Sequence, residues 1–322
     1  MNTHRTDRDR PPTRTDLTTS NTRTTRTTSK REALFVRTRT RTSVLLAATA
    51  ALALGLTACG TDSDPGSGGS GGAQADPSEP LTVAATPVPH ADILRFVKEN
   101  LAQDAGLELD IREFTDYVLP NTALQNGEVD ANYFQHQPYL DDFNENQGTD
   151  LVGVTGVHLE PLGLYSRSVD SLDELGEGDT VAIPNDTTNG GRALKLLADN
   201  GVIELAESAG SDATVSDVTD AHGISFDELE AATLPRALDD VDAAVINGNY
   251  ALEADLSPVE DTLAVEEAEG NPYANLLVVR AGDEEDPRVR TLAELLTSPE
   301  VERFIEDTYQ GSIIPAFGQP AS

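Results

Sequence analysis

The sequence predicts an α/β protein built as two lobes, and three observations support that expectation. From residue 81 onward, short apolar runs of strand character alternate with segments whose apolar residues recur at helical spacing, the pattern of layered sheets with largely parallel strands. The chain has 322 residues, enough for two lobes of ordinary domain size. At 38% hydrophobic residues it can bury a core, which argues against global disorder.

Taken in order, residues 81–86 read as a short apolar strand. Pro89 and His90 open a helix that sets Ile93, Phe96, Val97 and Leu101 on one face. Residues 107–114 alternate as a half-buried strand does. Pro120 starts a short helix that ends near Gly127, and residues 151–157 form the next strand. Thr180–Pro184 is a strand running into a loop, residues 185–191, which is followed by a helix over residues 192–199. Ala243–Ile246 and residues 276–280 are buried strands. Residues 288–309 have a helical period through Val289, Leu292, Leu295, Leu296, Val301 and Phe304. No internal repeat is present.

The first eighty residues have a different composition. Residues 1–43 are rich in Arg and Thr and carry too few large apolar side chains to fold. Residues 44–58 form an apolar run of 15 residues, shorter than the ~18–20 that a spanning helix needs. A basic flank, a short apolar run and small residues before a cut site describe a secretory signal over residues 1–58. Leu56, Thr57, Ala58 and Cys59 resemble the bacterial lipobox, in which the Cys is diacylated and becomes the mature N-terminus. Cys59 is the chain's single cysteine, which also excludes a disulfide framework. The basic region is longer than in ordinary signals. A start near Val36 would restore a normal length, and a genuine long leader is the alternative. Residues 59–80 are the lipidated Cys and a Gly/Ser/Pro/Asp tether, which would hold a globular body just off a membrane.

Charge narrows the partners. Residues 1–58 hold eleven basic and four acidic side chains, whereas the rest holds eleven basic and 52 acidic ones, a net charge of −41. Such a body repels phosphate backbones, so nucleic acid is excluded as a partner. Enzyme signatures are absent: there is no Gly-x-Ser-x-Gly elbow, Walker loop or dinucleotide fingerprint. His90, His136, His158 and His222 are not spaced as paired metal ligands on one helix, and no resident metal or cofactor is expected.

Three other features do suggest chemistry. Six of the body's 14 Phe and Tyr residues fall within residues 114–143, interleaved with Asp116, Asn121, Asn132, Gln135, His136 and Gln137. Flat apolar faces among amide and imidazole groups suit the wall of a small-molecule pocket, and they suit ordinary core plus loop equally well. Residues 184–192 run from a strand end through two glycines to Arg192, where a helix N-terminus and a guanidinium fork could hold a carboxylate. The alternative for Arg192 is a surface salt bridge. Asn247 and Asn275 sit at strand ends, positions that face the crevice in open α/β sheets or serve as caps and turns.

Residues 114–140, FTDYVLPNTALQNGEVDANYFQHQPYL, closely resemble the signature of the MetQ/NlpA lipoprotein family, the substrate-binding proteins of methionine ABC importers. Further matches are PVPHA at 87–91, IPNDTTNGGRAL at 183–194, LPRALDD at 234–240, AVIN at 244–247 and PYANL at 272–276. The resemblance covers residues 81–322 in order. It implies a two-lobed periplasmic-binding-protein clamshell with the ligand cleft between lobe I (residues 81–165 and 251–322) and lobe II (residues 166–250). It assigns the methionine carboxylate to Arg192, the rest of the polar end to Asn247 and Asn275, and the thioether wall to Tyr117, Phe134, His136 and Tyr139, with a further hydrogen bond from Asn189. The implied role is a lipid-anchored receptor on the extracytoplasmic face that hands L-methionine to a membrane permease driven by an ATPase, with no bond broken. A receptor for another small amino acid, D-methionine or a dipeptide is the alternative within the class, and an enzyme or surface adhesin on the same scaffold the alternative outside it. Departures from the family pattern are Ala84 and Ala85 after the first strand's Val83, Asn271 where a Ser-like residue is commoner, and Gly248-Asn249 after the AVIN segment.

The lipobox generates the first test. Cys59→Ala should move the protein from the membrane to the soluble fraction or leave its leader uncleaved, as read by fractionation and mass. Unchanged membrane association with normal processing would contradict lipidation at Cys59.

Overall fold

The computed structural model describes residues 79–318. The signal segment, Cys59 and all but the end of the tether lie outside the described residues.

Strands β1 (Leu81–Ala85), β2 (Leu109–Glu113), β3 (Ala131–His136) and β4 (Leu151–Leu159) come first, separated by helices α1 (Asp92–Asn100), α2 (Leu119–Gln125) and α3 (Gln137–Gln147). The chain then crosses to β5 (Gly163–Tyr165), β6 (Thr180–Pro184), α4 (Thr187–Asp199), β7 (Glu204–Leu205), β8 (Val218–Asp220), β9 (Ser225–Leu229), α5 (Leu234–Ala237), β10 (Ala243–Ile246), α6 (Gly248–Glu253) and β11 (Thr262–Val265). It returns through β12 (Ala274–Arg280), α7 (Pro287–Leu296), α8 (Pro299–Tyr309) and β13 (Ile314–Gly318).

The strands form two main sheets, ordered β13-β4-β12-β3-β1-β2 and β11-β5-β10-β6-β9, with β7 and β8 a separate antiparallel pair. Both sheets are mixed rather than simply parallel. In the first, β1, β2, β3 and β4 run one way and β12 and β13 the other. In the second, β5 alone opposes β6, β9, β10 and β11. The reason is connectivity. A strand that receives the chain from the other sheet starts at the shared edge and must run away from it, as β5 and β12 do. Sheet membership changes at residues 160–162 and 266–273, so β5 and β11 both belong to the second lobe, whereas the expected divisions stood at residues 165/166 and 250/251.

Each sheet is covered on both faces, which explains the continuous apolar runs of its central strands. Leu81, Val83, Leu277 and Val279 pack with Ile93, Leu94 and Val97 of α1 and with Val301 and Ile305 of α8 on one face of the first sheet. Ala84, Leu276 and Val278 pack with Leu124, Leu140 and Phe143 on the other. In the second sheet Val181, Ile183 and Val245 pack with Leu194 and Leu197 of α4, while Ala182, Ala244 and Ile246 face Leu234, Leu238 and Tyr250. Each such aliphatic side chain contributes about 1.5–3 kcal/mol by burial, so each lobe has a core of its own.

Two helices differ from the sequence expectation. The C-terminal period is interrupted at Thr297–Ser298, because Pro299 lacks the N–H that a continuous helix requires; Ser298 instead caps α8 by accepting from the Val301 N–H. Residues 187–191 are helix rather than loop, since Asp186 accepts from the Asn189 N–H at 2.9 Å and starts α4 there. The two glycines are therefore inside the helix, where they permit close packing within the lobe. A Cβ on Gly190 would lie 2.9 Å from the Pro184 carbonyl oxygen, and one on Gly191 would lie 2.3 Å from that of Ser211.

That contact is testable. Gly191→Ala should destabilise the fold by ~1–3 kcal/mol, because backbone must move to admit the methyl group. Gly176→Ala, whose added Cβ has only the His222 carbonyl oxygen at 4.0 Å, serves as a control expected near wild type. Denaturant midpoints measure both, and equal midpoints would contradict the close approach at Gly191.

Candidate functional site

The ends of β3 and β4, the start of β12, and the first turns of α4 and α6 converge on the edge where the two sheets face each other. They line a narrow, partly open cavity whose wall is formed by Tyr117, Phe134, Gln135, His136, Tyr139, Glu160, Asn189, Arg192, Asn247, Gly248 and Asn275. All eight ligand-binding residues expected from the sequence are on this wall. Their convergence follows from strand direction: β3, β6 and β10 all end at the cavity, and β12 begins there.

One end of the cavity is aromatic. The ring centroids of Tyr117 and Phe134 are 6.0 Å apart, those of Tyr117 and Tyr139 5.8 Å, and those of Phe134 and Tyr139 6.1 Å. The hydroxyls are bonded within the protein: Tyr139 donates to the Tyr117 carbonyl at 3.1 Å and Tyr117 to Asn249 Oδ1 at 2.5 Å. This leaves apolar ring surface for a ligand. The other aromatics of the cluster go to the core, with Tyr133 and Phe143 on opposite faces of the first sheet and Phe114 packed against the same apolar cluster as Phe143. The two open readings of that cluster are thus both realised, by different residues.

His136 joins the aromatic end to the polar one. Its Nδ1 accepts from the Tyr139 N–H at 3.2 Å, which caps α3, and its Nε2 donates to Asn189 Oδ1 at 3.2 Å. Burial, and next the Arg192 charge, hold its pKa down to about 3, so the ring is neutral. Asn189 Oδ1 also accepts from Asn247 Nδ2 at 2.9 Å, which ties β3, α4 and the end of β10 together. Asn247 Oδ1 is then left buried without a partner among the described residues, an unpaired acceptor on the cavity wall.

Arg192 is only 4% exposed and is already paired. Its Nε donates to Glu266 Oε1 at 2.7 Å, and its Nη2 donates to Glu266 Oε2 and, at 2.9 Å, to the Glu160 carbonyl. The guanidinium lies 4.2 Å from the Tyr273 ring centroid. The ion pair expected as the alternative to ligand binding is thus present, but it is buried rather than on the surface. Nη1 has no hydrogen bond among the described residues and remains for the cavity. The N-terminus of α4 does not act as an anion site, because the Asp186 carboxylate occupies it.

Glu160 and its neighbour in the charge network, Glu266, escaped sequence reasoning, whereas Gln135 belongs to the amide-rich aromatic segment and Gly248 follows the AVIN segment. Glu160 ends the strand segment that leaves the first lobe, and it is buried. His158 Nε2 lies 2.8 Å and His90 Nε2 3.2 Å from its Oε1, and the Asn249 N–H donates to Oε2 at 2.9 Å. Burial raises its pKa above the ordinary carboxylate value, and His90, the Asn249 N–H and Arg192 offset that rise only in part. A Cβ on Gly248 would stand 2.8 Å from the Glu160 Cβ and 3.3 Å from its Oε2, so glycine lets the start of α6 pack directly on this side chain. His90, His158 and Glu160 also bring potential metal-ligating atoms within 4.8 Å of one another. Every ring nitrogen of the two histidines has a hydrogen-bond partner, so the cluster is satisfied as a hydrogen-bonded network.

The model of a protein family described as NlpA lipoprotein matches residues 81–317. The chain is similar to the membrane lipoprotein TpN32 of Treponema pallidum (strain Nichols), at 42% identity over 240 residues, spanning 74% of this chain and 89% of that protein. It is similar to the methionine-binding lipoprotein MetQ of Bacillus subtilis (strain 168), at 38% identity over 249 residues, 76% of this chain and 90% of that one. Among solved structures, a nutrient binding protein from Burkholderia cenocepacia bound to methionine matches with a TM-score of 0.71 at 43% identity, covering 74% of this chain and 100% of that one.

Proposed function

The chain belongs to the NlpA lipoprotein family, and on that premise we propose that it is an extracytoplasmic receptor that captures free methionine and passes it to an ABC importer. One observation supports the reading above the rest. The cavity wall carries an open guanidinium nitrogen at Arg192, a carboxylate at Glu160, an unpaired amide oxygen at Asn247 and three rings. That set complements a zwitterion with an apolar, polarizable tail. Burying a zwitterion requires a partner for each charge. Nη1 of Arg192 and the Asn275 amide suit the ligand carboxylate, and Glu160 Oε2 and Asn247 Oδ1 suit the ammonium. A thioether packs favourably against the edges of Tyr117, Phe134 and Tyr139.

The work of such a protein is capture and release, with no bond broken. In this reading attachment rests on lipid at Cys59 and the tether of residues 59–80; among the described residues no helix is long and apolar enough to cross a membrane. The permease and its ATPase are the partners this role requires.

Removing one member of a buried charge pair costs about 3–5 kcal/mol. Arg192→Ala should therefore weaken methionine binding ~100-fold or more, and Asn247→Ala and Asn275→Ala should cost less but remain measurable. The wall should rank ligands as methionine, norleucine, alanine and last glutamate. Norleucine is expected to bind ~3- to 30-fold more weakly than methionine, and alanine to lose about 2–3 kcal/mol. Calorimetry on ligand-stripped protein measures both series. Wild-type affinity in Arg192→Ala would overturn the site, and alanine or glutamate competing as well as methionine would overturn the ligand.

A further inference from the structure

Behind the cavity wall, hydrogen bonds set the protonation pattern of two buried imidazoles. His90 Nδ1 lies 2.6 Å from Thr86 Oγ1, and His158 Nδ1 is hydrogen-bonded to the Tyr133 hydroxyl. The opposite nitrogens face acceptors only. His90 Nε2 is 3.0 Å from Asn275 Oδ1 and 3.2 Å from Glu160 Oε1, and His158 Nε2 is 2.8 Å from Glu160 Oε1. An ionised carboxylate and a carbonyl oxygen have no hydrogen to give, so while Glu160 is ionised each Nε2 is the N–H, and each Nδ1 accepts from its hydroxyl. With the Asn249 N–H on Oε2, three donors occupy three of the roughly four lone-pair positions of the carboxylate. The open one is on Oε2, beside which Gly248 places no side chain.

We propose that His90 and His158 are positioning residues for ligand capture: held as Nε2–H tautomers by Thr86 and Tyr133, they keep Glu160 ionised with its Oε2 free to receive the substrate ammonium. This rests on the reading of the cavity as an amino-acid site. The environment explains why such support is needed. Titratable groups facing Glu160 include Tyr133 on β3, Tyr117 ahead of α2, Tyr250 and Glu253 of α6, and Tyr309 of α8. None of these stabilises a negative charge by its own charge. The cation is Arg192, which bonds the Glu160 carbonyl and spends its fork on Glu266. Burial holds His90 near a pKa of about 4 and His158 near about 3, so both donate as neutral rings throughout the physiological range. His90 also fixes Asn275, through its Oδ1, so one ring orients a group on each side of the ligand's polar end.

The sign of the pH effect follows. An ammonium is held by the ionised carboxylate, so binding falls as pH falls through the Glu160 pKa. Removing a donor to the carboxylate raises that pKa and moves the fall to higher pH. Wild-type protein stripped of ligand should bind methionine with affinity constant within about threefold from pH 6 to 8. In His158→Leu, affinity should be about tenfold or more weaker at pH 6 than at pH 8, the scale of one lost charge-assisted bond. His158→Gln, which retains an amide N–H, should largely restore the flat profile. A uniform loss in His158→Leu with no pH slope would mean that the ring only fills space, and would overturn the proposal. A second measurement needs no variant and no ligand. Imidazole nitrogen-15 NMR of the wild-type protein should find two rings as Nε2–H tautomers that do not titrate between pH 5 and 8. An Nδ1–H tautomer at either ring, or protonation in that range, would overturn the network. If wild-type protein fails to bind methionine at any pH, the ligand reading falls, and the tautomer spectrum still judges the histidines by itself.

Discussion

Glu160 lies where the chain leaves one lobe for the other, and three N–H groups from three different elements converge on its carboxylate. A buried carboxylate costs several kcal/mol relative to water, and each charge-assisted hydrogen bond contributes about 1.5–3 kcal/mol. Three donors are therefore of the order needed to hold one charge there. The surrounding construction follows from that requirement. The PVPHA turn supplies His90, β4 supplies His158, and α6 supplies a backbone N–H, which is why α6 must start at Gly248 against the Glu160 side chain.

The opposite charge is treated differently. Arg192 is held by a bidentate carboxylate at Glu266, on the second crossing between the sheets, and by the face of Tyr273 on the same segment. Each of the two crossings thus fixes one charge of the cavity, Glu160 on the first and the Arg192 partner on the second. Hydrogen bonds from His136 to Asn189 and from Tyr117 to Asn249 then join one lobe to the other around the same space. Each lobe is stabilised by its own core, so the polar contacts across the seam determine geometry at the site more than they determine overall stability.

Much of this was legible in the sequence, for reasons that can be traced to residues. The strands β1, β6, β10 and β12 are continuous apolar runs because both of their faces are covered, and such runs are visible without any partner. Arg192, Asn247 and Asn275 stand out because basic residues are scarce and because amides at strand ends are conspicuous beside apolar runs. The strand β3 was not legible as a strand: in ANYFQH, Ala131 and Tyr133 enter the core while Phe134, Gln135 and His136 line the cavity, so its polarity follows two environments rather than one face. Glu160 and Glu266 were hidden among 56 acidic residues, where no spacing distinguishes a buried carboxylate from a solvated one. The start of α4 was missed because the Asn-Asp-Thr-Thr-Asn-Gly-Gly run has turn composition, and the Asp186 cap together with tight packing of the glycines overrides that local preference.

The central claim is that one buried cation and one buried anion are set for the two charges of a free amino acid, with a ring-lined space for its side chain. The most direct test is calorimetric titration of ligand-stripped protein with methionine and two analogues that each lack one charge, 4-(methylthio)butanoate and 3-(methylthio)propylamine. The account predicts that each analogue binds ~100-fold or more weakly than methionine, because each leaves a buried charge unmatched. Either analogue binding as tightly as methionine would contradict it.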